Sequence, residues 1–100
     1  MALPPFLKAL EVYDPEFAQA MEKIVSLSLK EGSLDPKTRT LIALALDAAL
    51  GASEGVASLA NHARSMGITD QEIAEALRLA YFTSGNSVLM TSFAGFKDKE

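Results

Sequence analysis

The strings YDPEF and LDPKTRT open two segments of this chain in the same way, with Asp14 before Pro15 and Asp35 before Pro36. An aspartate just ahead of a helix accepts hydrogen bonds from its unpaired first amides. Proline fits the first helical position, where its missing N–H costs nothing. Glu16 adds negative charge to the positive end of the first such helix. Phe17, Met21, Ile24 and Leu27 follow at helical spacing, Val25 and Leu29 widen the stripe, and Gly32 is expected to close the helix. The second helix is predicted to run from Pro36 to about Leu50. Residues 41–51 are apolar but for Asp47. A helix apolar on nearly every face is buried all round, in a core or between subunits.

The remaining punctuation is also helical. Gly51 ends the second helix, and Ser53 is expected to cap a third that carries Val56, Leu59, Ala60, Ala63 and Met66 before Gly67 stops it. TDQE, from Thr69 to Glu72, has the pattern of a capping box and starts a fourth helix bearing Ile73, Leu77, Ala80, Tyr81 and Ser84. SGNS, residues 84–87, is expected to interrupt it, leaving VLMTSFAGF as a short helix or a strand-like tail. Pro4 and Pro5 exclude a regular helix at the very start, and Phe6 to Val12 can form one or two turns. KDKE at the end reads as a solvated tail. No alternating pattern of strands occurs. The expected class is all-α, about five helices in a single domain over residues 1–100.

Composition bounds the function. Thirteen Asp and Glu against nine scattered Lys and Arg give a net charge of −4, which speaks against nucleic-acid binding. There is no cysteine, so disulfides, thiolate metal sites and cysteine nucleophiles are excluded. The first residues lack a charged start, so no signal peptide is expected, and no run approaches the ~20 apolar residues needed to span a bilayer. A soluble, cytoplasmic protein is expected, with no membrane partner. Hydrophobic residues make up 49% of only 100. A domain this small leaves surplus apolar side chains outside, and a homo-oligomer is the usual remedy.

The combination LDPKTRTLIALALDAALGAS with ANHARSMGITDQEIAEALRLAYFTSG, within residues 34–85, resembles the carboxymuconolactone decarboxylase family, which includes the alkylhydroperoxidase D-like proteins. Each element alone is a generic helix start; their order and spacing carry the resemblance. It implies an all-helical subunit that assembles as a trimer or hexamer, with pockets near subunit contacts. In the family's redox branch the resemblance places a glutamate where this chain has Thr40, two cysteines where it has Ala52 and Gly55, and a histidine where it has Leu59. Thiol peroxidase or disulfide reductase chemistry needs a thiolate, and this chain supplies none. The decarboxylase branch also lacks the cysteine pair, but it keeps a histidine at the place of Leu59. His62, the chain's one histidine, lies three residues further on.

The other polar residues allow two readings each. Glu54, Ser58 and His62 fall at i, i+4 and i+8, so they form one stripe. Glu54 and His62 are then roughly 12 Å apart along the axis, room for a substrate between an acid and a base; the plainer reading is a solvated face. Asp47 is either paired with a cation such as Arg39 or Arg78, or lines a pocket. Thr40 can bond back to a carbonyl one turn earlier. Tyr81, Ser84, Asn86 and Thr91 can offer hydroxyls and amides to a ligand or satisfy a helix end. Met21, Met66 and Met90 read as filler in the core or an interface. Without a second histidine or any cysteine, no metal site is expected, and no cofactor is implied. Two functions follow. One is a family member without a redox centre, an oligomer that binds a small molecule or serves as a scaffold or partner for an active paralogue. The other is a decarboxylase or proton-transfer enzyme acting on a small carboxylate or lactone through Glu54, His62 or Asp47. The ligand-pocket candidates are Thr40, Tyr81, Ser84 and Asn86.

Overall fold

A computed structural model describes residues 5–97. Its order is α1 (Phe6–Tyr13), α2 (Pro15–Ser28), α3 (Pro36–Ala49), α4 (Ser53–Ser65) and α5 (Asp70–Ser92), followed by a 3₁₀ turn (Phe93–Phe96). The expected class holds: five helices, and no strand among the described residues. The solvated reading of KDKE falls largely on residues 98–100, outside the described residues, as does Pro4.

The chain divides after Ser33 into two units. In the first, α1 and α2 pack against one another. Asp14 joins them by serving both: its amide donates to the Leu10 carbonyl (2.8 Å), and its Oδ1 accepts from the Phe17 amide (3.1 Å). Leu7 and Ala18 are buried. The helix at α2 ends at Ser28, short of Gly32, because its close is a different one from that expected. The Lys30 amide bonds to the Leu27 carbonyl (3.3 Å) in a tightened last turn, and Gly32 does not take the left-handed conformation of a closing glycine.

In the second unit, α4 and α5 both pack on α3. Leu44 and Ala63 are fully enclosed, with Ala60, Ile68 and Ile73 beside them. Leu41, Val56, Leu59, Met66 and Leu77 pack around this core. Two glycines make the corners sharp. Gly51 (φ 77°) and Gly67 (φ 84°) are the only positive-φ residues among those described. At each, the residue after the glycine donates back five residues: Ala52 to the Asp47 carbonyl (2.8 Å) and Ile68 to the Ala63 carbonyl (3.0 Å). The glycine amides bond to Ala48 and Arg64 (3.1 and 3.0 Å), completing a Schellman close in both places. The second close also buries Ile68 beside Ala63.

The expected cap at Ser53 is replaced. Ser53 is already the first helical residue of α4, and Ala52 sits at the cap with no side-chain bond. The close of α3 runs directly into the start of α4. The Ala52 amide finishes one helix, and its carbonyl accepts the Val56 amide (3.0 Å) to begin the next. At α5 the capping box forms as expected: the Glu72 amide donates to Thr69 Oγ1 (3.1 Å), and the Thr69 amide donates to Glu72 Oε1 (2.9 Å).

The interruption expected at residues 84–87 is absent, because α5 continues through them to Ser92. No strand-like tail forms, and the short last helix is confined to the 3₁₀ segment Phe93–Phe96. One glycine inside a helix costs only about 1 kcal/mol, too little to break 23 residues. The hydroxyls of Thr83 and Ser92 fold back onto the Leu79 and Leu89 carbonyls (2.9 and 2.6 Å), so they compete with no amide. On α3, which the sequence marks as apolar all round, only Thr40 and Leu44 are buried; Ile42, Leu46 and Leu50 stay exposed. No helix among the described residues is long and apolar enough to cross a membrane.

Candidate functional site

The positions that the family resemblance marks are built from α3 and α4. Thr40 is buried, and its hydroxyl donates to the Pro36 carbonyl one turn earlier (2.8 Å). That bond uses its proton inside the helix. Ala52 is the exposed cap of α4, and Leu59 packs against the core. Gly55, half-buried, faces the side chain of Asp47. A Cβ at position 55 would lie 3.0 Å from Asp47 Cγ and would collide with the carboxylate oxygen Oδ2. The place matched to a second cysteine therefore adjoins a carboxylate that must turn aside for any side chain to fit.

Asp47 is half-buried on the last turns of α3 and reaches the first turn of α4. Among the described residues it has no ion pair, with Arg78 or any other cation; the pair that does form is Arg64 with Asp70 (2.8 Å). The first turn of a helix carries partial positive charge, so a carboxylate lying there is favourably placed without a cation. Glu54 and His62 are exposed on α4. Gly55, where Asp47 makes its contact, and His62 are seven residues apart, roughly 10 Å along the axis. Asp47, on α3, thus meets α4 beside Glu54, and His62 lies about two turns further along α4. Among the described residues no three metal-ligating side chains gather.

A concavity lies elsewhere, between α3 and α5. It is an open groove of about 850 Å³. Ala45 and Ala49 on α3 and Ala76 and Ala80 on α5 line it with small side chains at four-residue spacing. Ile42, Leu46 and Leu79 supply larger apolar walls. All three are more than 40% exposed: 46%, 59% and 66%. Of the ligand-pocket candidates, Ser84 lines this groove; Tyr81 and Asn86 are exposed and do not, and Thr40 is buried within its own helix. Thr91 is exposed near the end of α5. The wall residues Ile42, Leu46 and Leu79 were missed by a reading that sought reactive groups. Their helical spacing was visible, but it equally describes a core.

Thr38, Glu72 and Glu75 add polar groups to the groove. The Thr69 amide and then its hydroxyl hold the Glu72 carboxyl below its ordinary value of 4.5, with Lys37 adding to the effect. Asp35 is likewise lowered from 3.8, by the Thr38 amide first and its hydroxyl second (2.8 and 3.1 Å). Each carboxylate is a helix-start device, and the shift reflects amides that bond only to the charged form.

These features define a class: a helical chain with an α3–α4–α5 core, sharp glycine corners and a groove beside the middle helix. The match to the carboxymuconolactone decarboxylase family model spans residues 15–98, and the chain belongs to that family. The match extends beyond residues 34–85 in both directions and takes in α2. No curated protein and no solved structure gives a significant match.

Proposed function

We propose that this chain is a non-redox member of the family, a cytoplasmic homo-oligomer, trimeric or hexameric, that binds a small molecule. The carrying observation is the α3–α5 groove, whose walls are mainly apolar and which holds no thiol for the family's redox chemistry. Pockets of this volume suit small ligands, and their apolar walls supply most of the affinity. The exposed side chains of Leu89, Phe93 and Phe96 support assembly. A decarboxylase or proton-transfer reaction at Glu54, His62 or Asp47 has less support, because an acid and a base must meet at one substrate, and Glu54 and His62 are exposed about two turns apart on α4.

Titration of the purified protein with octanol, a neutral aliphatic probe, tests the binding. Chemical-shift changes are expected at Ala45, Ala76 and Leu79. Changes confined to α4 around Glu54 and His62 would instead favour the enzymatic reading, and no change at all would overturn the binding role. Light scattering at micromolar concentration tests the assembly: a mass of three or six chains is expected, and a monomer overturns it.

A further inference from the structure

Charge narrows what the groove can hold. Its lining includes two carboxylates, Glu72 and Glu75, and no lysine or arginine. Glu72 is engaged in the capping box and lies under the influence of Lys37. Glu75 forms no ion pair among the described residues. It is the sixth residue of α5, beyond the first turn where the positive helix end is felt. A carboxylate ligand entering at this end would meet like charge, whereas an ammonium would meet its opposite. From Glu75 the groove continues past Ala76, Leu79 and Ala80 to Ser84 and Ser87. That path is roughly 18 Å along the helix axis, and it bears hydroxyls but no further charge. An elongated hydrocarbon with one cationic end matches this order of groups.

We propose that the groove is a site for aliphatic amines, with the ammonium against the Glu75 carboxylate and the hydrocarbon lying along Ala76, Leu79 and Ala80. The proposal rests on the small-molecule reading above and assigns it a ligand class. Apolar burial supplies the bulk of the affinity, and Glu75 supplies the choice between head groups. An exposed ion pair contributes little, so the selectivity is modest and sensitive to salt.

Three probes of one chain length test it by titration calorimetry: octylamine, octanol and octanoate. Octylamine is expected to bind roughly five-fold more tightly than octanoate, with octanol between them, since one head group is attracted and the other repelled. Glu75→Gln is expected to bring the three affinities together. Ala76→Leu, which narrows the groove, is expected to weaken all three while circular dichroism stays unchanged. Equal affinities in the parent protein, or an amine preference that survives Glu75→Gln, overturn the ligand class and leave the small-molecule reading standing. Absence of binding by all three probes overturns both.

Discussion

At the scale of single residues, the contact between Asp47 and Gly55 shows how two helices depend on a missing side chain. Alanine is a better helix former than glycine by about 1 kcal/mol, so Gly55→Ala on its own helix is favourable. Against that, the new methyl meets the Asp47 carboxylate, which must turn away from the first turn of α4. Overpacking of this kind costs about 1–3 kcal/mol. In the parent chain the two effects nearly offset, and in an Asp47→Ala background only the favourable one remains. A double-mutant cycle read by urea denaturation is expected to give a coupling of about 1 kcal/mol or more between positions 47 and 55. Additive effects there would show that the carboxylate moves aside freely. The same contact predicts that Gly55→Cys reinstates a thiol only at the expense of Asp47. From the sequence, Gly55 could be read as a lost cysteine, but the neighbour that requires a glycine was not legible. Asp47 lies on another helix, and no local pattern connects them.

At the scale of elements, starts were far more legible than stops. Asp14, Asp35 and Thr69 each act on amides three residues ahead, so the whole device is written in a short string. Ser53 failed as a cap because the Schellman close of α3 leaves no separate turn before α4. Residues 84–87 failed as a break because individual propensities are weak against a long continuous helix. Glycine substitutions separate these cases. Gly85 has helical backbone and open space where a Cβ would go, so Gly85→Ala is expected to stabilise the protein by about 0.5–1 kcal/mol. Gly67 has φ 84°, and Gly67→Ala is expected to destabilise it by about 1–2 kcal/mol. Thermal melts of the two variants should shift in opposite directions; a loss at Gly85 would mean that α5 bends there.

The helix starts also predict an acid response. The folded-state pKa values of Asp35 and Glu72 lie below their ordinary values of 3.8 and 4.5. The stabilisation they bring is therefore complete above those ordinary values and is lost as pH falls through the lower folded values. Melting temperature is expected to be insensitive to these groups near neutrality and to decline below about pH 4.5. Thr69→Ala removes the hydroxyl that accepts from the Glu72 amide and is expected to cost about 1 kcal/mol at neutral pH. It should also flatten the part of the acid decline due to Glu72, because the hydroxyl is one of the groups that hold that carboxyl low. A variant with an unchanged acid profile would place the response in other carboxylates.

At the scale of the whole molecule, the lengths of the helices leave a surface unaccounted for. With 23 residues α5 extends roughly 34 Å, whereas α3, its partner in the core, has 14 and extends roughly 21 Å. The excess falls at the end of α5, where Val88, Leu89, Met90 and Phe93 are 69%, 59%, 73% and 60% exposed. Four large apolar side chains within six residues are not the scattered exposed residues of an ordinary surface. Composition alone foretold the surplus, but not its place, since the expected break at residues 84–87 hid the length of α5. A second copy of the chain is the cover that the assembly reading supplies. Substituting Leu89 and Phe93 together by lysine tests this surface without disturbing the buried core, because both side chains already lie open in the single chain. If these residues only decorate the surface, stability and mass should both remain unchanged, as they do for most exposed substitutions. If they meet another copy, light scattering should fall toward the monomer mass while circular dichroism retains the helices. The melting temperature should then lose its dependence on protein concentration, since that dependence exists only where folding and association are linked.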